Sequence, residues 1–391
     1  MTLIAFVDPD GRVQLTSSSS GRTRPITPAG MRFTWPTWSP DGNFLTVSRY
    51  SAGENGHGGF RICLTDPTGE SLTEIYANMP GTDAIAQETP HYAMWSPDSG
   101  NVAFVAQMPG KGLTLFVRGS ITGGEPKQLL SGGPVFASWS PDSKFLLVHS
   151  GQLHYLIRSD DLEPAQIPVV SSQYMSPSWS PLSNSMAFCG ELSEHEQGLL
   201  VADTGGDGAK MISEVSGSAT FSWHPAGRHI GLAKDLDRAS GFYNSLWMVD
   251  TEKETEEQIL NDRFLSFFWS PDGAFVAYVS PSAEGDGSIR WAILNVNTKE
   301  SYYLADFQPT REQLNIFMFF DQYGQSHSPW SHDSRSLIFA GQLGARAVRS
   351  RLPETRSSQV CTLSIARDSR SSVVGSGAMG VWCPVPEQPE V

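Results

Sequence analysis

The sequence predicts an all-β chain, a single closed β-propeller of four-stranded blades, and three observations carry that expectation. A short phrase recurs seven times: WSPDGNFLTV from Trp38, WSPDSGNVAFV from Trp95, WSPDSKFLLV from Trp139, WSPLSNSMAF from Trp179, WHPAGRHIGL from Trp223, WSPDGAFVAYV from Trp269 and WSHDSRSLIFA from Trp330. The intervals between these tryptophans are 57, 44, 40, 44, 46 and 61 residues, and the four near 40–46 match the period of one propeller blade. Between the phrases lie short apolar runs bounded by Gly, Pro and Asp, with no long segment of helical period.

Each unit parses alike. A short strand ends at the Trp, and a tight Ser-Pro-Asp-Gly turn follows. Proline suits the second turn position because its φ is preset, and Gly or Ser tolerates the strained fourth one. An alternating apolar strand comes next, such as residues 274–280, then a third, such as Ser245–Asp250 or 289–296, and a weaker fourth. Burying one Trp per unit contributes about 4–5 kcal/mol gross, so these tryptophans, with Trp247 and Trp291, are read as wedges between neighbouring sheets. The aspartates Asp41, Asp98, Asp142, Asp272 and Asp333 recur with the turn and are read as its caps.

The two ends complement each other. Residues 3–7, 12–16 and 24–27 read as the last three strands of a blade that lacks its Trp strand, and residues 380–384 (GVWCP) read as a Trp strand with nothing after it. Joined, they leave no sheet edge exposed. The expectation is eight blades: a shared blade from 1–29 and 376–391, then 30–79, 80–132, 133–172, 173–216, 217–262, 263–309 and 310–375. Seven blades with loosely attached ends is the alternative.

The repeated WSPDG phrase resembles the repeat of the TolB-like propeller family, which is related to WD-repeat propellers. The resemblance spans essentially the whole chain and implies the fold. That family's role at the cell envelope is not carried over, because the sequence shows neither a secretion signal nor room for the family's additional N-terminal domain.

Composition excludes several functions. With 27 Lys and Arg against 41 Asp and Glu, the formal net charge of −14 repels phosphate backbones and anionic lipid, so neither nucleic acid nor membrane is expected as a partner. No apolar run reaches the length of a membrane helix. The scattered cysteines Cys63, Cys189, Cys361 and Cys383 show no metal-ligand spacing and read as buried free thiols in a reducing cytoplasm, while the style of the repeat reads as bacterial. No metal or cofactor is expected. The GxGxxG at 375–380 runs into GVWCP rather than a helix, the 203–208 run lacks the ligands of a calcium loop, and no GxSxG, HExxH or phosphate-binding loop occurs.

The stretched interval before Trp330 holds an unusual insert, residues 306–330, apolar at Ile316–Phe320 and then polar. Functional residues concentrate on loops held by a rigid scaffold. Asp321, Gln322, Tyr323, Ser326 and His327, with His91 and Tyr92 just upstream of Trp95, are therefore the candidate binding residues, expected at the channel mouth. Phe317–Phe320 are expected to fill a gap between the sixth and seventh blades. Two further loops, 50–60 and 82–91, and the arginine-bearing tract 346–358 are read as solvated insertions, the last with an acidic docking partner as its alternative.

With the repeats spent on structure and no catalytic constellation, the expected function is a monomeric, non-catalytic scaffold. It would bind a protein or peptide through the channel mouth and inserted loops. The alternative is a lyase or hydrolase acting on a carbohydrate or small anion at the axis. A deep axial pocket with three or more His, Asp or Glu side chains would favour the enzyme, and a shallow aromatic-rimmed face the scaffold.

Overall fold

The turn after each repeated Trp shows why the phrase recurs. The Ser39 hydroxyl donates to Asp41 Oδ1 at 2.5 Å while its oxygen accepts the Phe44 N–H at 2.9 Å. The same pair of bonds closes the turns at Ser96, Ser140, Ser270 and Ser331. The fourth turn residue is left-handed, with φ of +73° at Gly42, +61° at Ser99, +60° at Ser143, +71° at Gly273 and +59° at Ser334. Partial burial would raise the carboxyls of Asp41, Asp142 and Asp272, but the serine hydroxyls and backbone N–H groups bonded to them hold them below the usual range. These aspartates cap turns.

The computed structural model describes residues 2–386 apart from 18–20, 52–58, 79–89, 109, 120–122, 172–174, 183–184, 194–195, 205–207, 216, 236–240, 284–286 and 345–357. The middles of the 50–60 and 203–208 segments, residues 82–89 of the 82–91 segment and nearly all of the 346–358 tract thus lie outside the described residues.

Consecutive strands pair antiparallel, and four of the six sheets have four strands each. The other two arise because units three and four join where Val170 lies opposite Glu191, and units six and seven where Phe307–Pro309 lies opposite Gly341–Leu343. In unit one, Arg32–Trp38, Leu45–Ser51, Gly59–Thr65 and Leu72–Ala77 lie in that order across the sheet. The inner strands of the following units are Pro90–Trp95, Val135–Trp139, Ser178–Trp179, Ser218–Trp223 and Ser266–Trp269. In unit seven the inner strand shrinks to a single bridge from Trp330 to Leu337, so Ser336–Leu343 becomes the innermost full strand. The chain ends share a sheet: Met379–Trp382 pairs with Leu3–Val7, Ile4 opposite Trp382 and Val7 opposite Met379, with Val13–Ser17 and Thr23–Pro25 outside. No helix follows the 375–380 glycines; Ser371–Ser376 and Met379–Trp382 are both strands.

Apolar clusters fill the seams between sheets. Ala5, Leu15, Trp38 and Val381 pack between the terminal unit and unit one, and Ile62, Trp95 and Phe104 between units one and two. Ile4, Phe6, Ile338 and Trp382 join unit seven to the terminal unit. The largest cluster, around Trp269, Trp291, Phe317 and Phe339, spans units five to seven and takes in Val7 and Met379 of the terminal sheet. All four cysteines are buried, and none is in a disulfide among the described residues. Among the described residues, no helix is long and apolar enough to cross a membrane.

The wedge role of the tryptophans has a polar counterpart. The Trp95 indole N–H donates to the Thr37 carbonyl, the residue before the Trp of the preceding unit, at 3.1 Å. The step repeats from Trp179 to Ser138, Trp223 to Ser178, Trp269 to Ser222, Trp330 to Phe268 and Trp382 to Pro329, at 2.9–3.3 Å. Six of the units are thereby pinned to their predecessors at one height along the axis; the Trp38 and Trp139 indoles make no such bond among the described residues.

The insert departs from the sequence reading, which placed no helix there. Residues Arg311–Met318 form helix α1 and Phe320–Tyr323 a one-turn helix α2. Thr310 caps α1 by accepting the Gln313 N–H at 3.1 Å, and Gln313, Ile316 and Phe317 recur at helical spacing on its buried face. The phenylalanine-rich run obscured that period. Phe317 does pack between Trp291 and Phe339 of units six and seven, but Phe320 reaches Tyr243 of unit five, and Phe319 is exposed.

Candidate functional site

An inner strand has one open edge, whose unpaired N–H and C=O groups need partners once water is excluded. The insert supplies them. The Gln322 side chain accepts the Ala137 N–H and donates to the Ala137 carbonyl, both at 3.0 Å. Asp321 accepts the Ser176 N–H at 3.0 Å, and Gln313 accepts the Ala340 N–H at 3.0 Å. The Thr310 hydroxyl donates to the Ala378 carbonyl at 2.6 Å. Tyr92 OH donates to the Gln322 carbonyl at 3.1 Å and lies 2.9 Å from Ser326 Oγ. Aromatic contacts finish the plug: Tyr323 stacks on Trp35 at 5.0 Å, and Phe320 meets Phe267 at 5.1 Å. Segment 310–330 therefore touches the inner face of all seven internal units and of the terminal sheet, filling the axis with the chain itself.

The sequence-derived candidates come together here. Asp321, Gln322, Tyr323, Ser326, His327 and Tyr92 form one connected cluster; His91 belongs to the strand Pro90–Trp95, and its side chain lies outside what the structure describes. Most of them face the walls. Gln322 and His327 are 5% and 4% exposed. Burial draws the His327 ring down to about 4, partly opposed by a bond to the Pro36 carbonyl, so the ring is neutral and meets Ser326 Oγ through Nδ1 at 2.8 Å. Burial pushes the Asp321 carboxyl up against the backbone N–H groups that lower it, and pushes Tyr92 to about 12.

Above the plug, at the end where the turns converge, lies an open cavity of about 660 Å³. Its walls are Trp38, Trp95, Trp139, Trp179, Trp330 and Trp382, together with Pro40, Pro97, Pro141, Pro181, Pro271 and Pro384. The indoles are 3–8% exposed, so their edges reach the cavity while their faces stay wedged between sheets. Gln325, Ser326 and Ser328 come from the plug; the lining holds one histidine, His332, and no Asp, Glu, Lys or Arg. Ser326 is thus the one sequence candidate that lines the cavity. The prolines, Gln325 and Ser328 were missed, although a proline at the same register in successive repeats signals rings gathered at one mouth. Trp35 was missed as well. A register shift between Thr34 and Thr37 gives it φ +53° and aims it at Tyr323.

Among the described residues, no three His, Cys, Asp or Glu side chains are gathered to hold a metal ion. His149 and His154 stack at 4.6 Å, but both are buried in unit three.

The sequence matches no protein-family model and none of the curated proteins. Solved structures do match. A eukaryotic initiation factor aligns over 99% of both chains with a TM-score of 0.58 at 12% identity. An oligogalacturonate lyase in complex with manganese aligns over 87% of this chain and 92% of its own, with a TM-score of 0.53 at 14% identity. TolB from Acinetobacter baumannii aligns over 87% of this chain and 83% of its own, at 16% identity, but with a TM-score of only 0.44. At such identities, likeness speaks for the fold and not for the activity. What the two likenesses above 0.5 and the antiparallel four-stranded sheets establish together is a β-propeller.

Proposed function

We propose that the chain is a single closed ring of eight blades that works as a non-catalytic scaffold, binding a protein or peptide at the mouth carrying the Trp-Ser-Pro turns. The reading of the blades as 30–79, 80–132, 133–172, 173–216, 217–262, 263–309 and 310–375, with 1–29 and 376–391 sharing the eighth, rests on the repeated turns and on the pairing of Leu3–Val7 with Met379–Trp382.

One observation carries the functional reading. The axis, where an enzyme of this shape would gather its catalytic groups, is occupied by segment 310–330, and the cavity left above it is walled by tryptophan and proline with hydroxyl and amide groups on its floor. Such a surface offers apolar contact and a few hydrogen bonds, the ingredients of recognition. Its lining holds no carboxylate and one histidine, His332, with no acidic partner beside it on the lining, because Asp321 and His327 are turned into the walls. Asp321, Gln322, Tyr323, His327 and Tyr92 then hold up the binding floor, and Ser326, Gln325 and Ser328 meet the partner. The buried free cysteines and the charge of −14 suit a cytoplasmic monomer that binds neither nucleic acid nor membrane.

The test is photo-crosslinking in the native host's lysate from a benzophenone residue at Gln325, beside the same protein carrying Ser328→Arg to fill the floor. The expected result is a discrete protein crosslinked at the mouth and lost with Ser328→Arg. Crosslinks indifferent to that change, or none at all from a folded protein, overturn the proposal.

A further inference from the structure

The mouth's partner can be narrowed by the residue that follows each lining residue of the turns. Pro40, Pro97, Pro141 and Pro271 line the cavity, and His332 takes the same register in unit seven. The next residues are Asp41, Asp98, Asp142, Asp272 and Asp333, all exposed, so carboxylates stand one residue outside an apolar wall. In the other units that position is apolar: Leu182, which is 62% exposed, Ala226 and Val385.

Contacts between neighbouring units set the order of these residues around the mouth. The Asp41 N–H donates to Ser99 Oγ at 3.1 Å, the Asp98 N–H to Ser143 Oγ at 2.9 Å and the Asp272 N–H to Ser334 Oγ at 3.1 Å. The Trp179 indole ties unit four to unit three, the Ser180 hydroxyl reaches the Gly227 carbonyl at 3.3 Å, and the His224 ring bonds to the Gly273 carbonyl. Trp382 ties the terminal unit to unit seven, and Val385 packs against the cluster around Trp38 of unit one. The carboxylates thus fall into two arcs, Asp41, Asp98 and Asp142 in one and Asp272 and Asp333 in the other. Leu182 with Ala226 fills one gap between the arcs, and Val385, on the far side of the proposed ring, fills the other. An apolar track therefore crosses the mouth from Leu182 to Val385, over the Trp and Pro walls, with an acidic arc along each side.

Few cations of the protein answer these arcs. On the seven internal turns the lysines and arginines are Lys144, Arg228 and Arg335. Lys144 bridges Asp142 at 3.2 Å, and Arg228 is held by Asp250 at 2.9 Å. Asp41, Asp98, Asp272 and Asp333 form no salt bridge among the described residues. Such arcs steer and orient a partner of opposite charge. The lining within, with one histidine and no other ionisable acid or base of the Asp, Glu, Lys or Arg kind, suits apolar side chains, because a charge drawn inside would lose its water without a countercharge. We propose that the mouth accepts an extended, cationic segment of another protein: apolar side chains at its centre enter the cavity along the track, and lysine or arginine on its flanks meets the two arcs. The proposal rests on the reading of this mouth as a protein-binding site.

The test is calorimetric titration of the whole chain with three end-capped nonapeptides. Two share a Leu-Phe-Leu centre, flanked on both sides by lysines in one and by glutamates in the other; the third keeps the lysines around a Ser-Gly-Ser centre. At low salt the lysine-flanked Leu-Phe-Leu peptide is expected to bind at least about tenfold tighter than either of the others, its lead over the glutamate peptide narrowing as salt screens the arcs. Asp98→Asn with Asp272→Asn removes one charge from each arc and keeps a side-chain acceptor for the Ser96 and Ser270 hydroxyls. That pair is expected to weaken binding several-fold while the melting temperature stays close to that of the native protein. Asp10→Asn with Glu214→Gln, at exposed positions near the opposite end of the strands, removes the same charge and should leave binding within about twofold. Equal binding of the lysine and glutamate peptides, equal binding of the two lysine peptides, binding of none, or equal weakening by the two pairs of substitutions overturns the proposal. If the Gln325 crosslink to a protein survives while the peptides do not discriminate, only the cationic preference falls; if that crosslink fails too, the protein-binding reading falls with it.

Discussion

The side-chain amide of Gln322 and the backbone of Ala137 face each other as two strands would, one N–H and one C=O from each at 3.0 Å. A single glutamine substitutes for the next strand of a sheet, at the point where an inner strand would otherwise present a bare edge to the axis. Replacing it with Leu leaves both Ala137 groups buried and unpaired. Gln322→Leu is expected to lower stability by about 2–4 kcal/mol, read by urea denaturation, with Gln322→Glu worse at neutral pH because a carboxylate would face the Ala137 carbonyl. An unchanged midpoint would show that the plug is not held at this point.

The proposed closure of the ring rests on the strand pairing that sets Ile4 opposite Trp382. Deleting residues 380–391 removes that strand and the Trp382 indole bond to the Pro329 carbonyl, and uncovers Ile338 and Val360. Thermal unfolding should then begin several degrees lower and broaden, because an opened ring unfolds from its two ends. A sharp transition at the original temperature would sink the closure.

His327 makes stability depend on pH in a defined direction. Its folded pKa of about 4 lies below the ordinary histidine value, so between roughly pH 6.5 and 4 the unfolded chain binds a proton that the folded chain refuses. Stability from this group is present above pH 6.5 and is lost as pH falls through that window, by up to about 3 kcal/mol. The buried His154 and His149 act with the same sign, whereas Asp321, raised by burial, acts against them. His327→Asn should flatten the melting-temperature profile between pH 6.5 and 4. A parallel profile would assign the slope to other groups.

Two glycines separate backbone strain from steric clash. Gly273 has φ +71°, and a Cβ there would stand 2.5 Å from the His224 ring, which bonds to the Gly273 carbonyl at 3.1 Å. Gly287 has φ +84°, and no atom of the described residues lies within 4 Å of where its Cβ would stand. Gly287→Ala should cost about 1 kcal/mol, and Gly273→Ala about 2 kcal/mol or more, because it disturbs the contact between neighbouring turns as well. Equal losses would mean that the turn-to-turn contact contributes nothing.

Much of this protein was legible in its residues because the information is local and repeated. Trp-Ser-Pro-Asp specifies a turn through bonds that reach no further than five residues, as Ser39, Asp41 and Phe44 show, and seven copies of one local solution imply one repeated sheet. The ends announced their pairing because each carries the strands that the other lacks. The insert was legible as an exception: its length and its candidate residues stood out, and six of those residues do form one connected cluster.

What only the tertiary structure decided is where those residues point. Asp321, Gln322 and His327 are polar and follow an apolar run, which reads as a surface facing ligand. Ala137 on the inner edge of Val135–Trp139 and Ala340 on that of Ser336–Leu343, distant in sequence, instead claim the hydrogen bonds of Gln322 and Gln313, because a donor or acceptor deprived of water binds the nearest complement. The mouth has the same origin. Pro40, Pro97, Pro141, Pro181, Pro271 and Pro384 are unremarked turn residues one at a time, and become a wall only when the sheets converge on an axis. Local chemistry determined the blade; the sharing of inner edges among distant strands determined the plug and the surface above it.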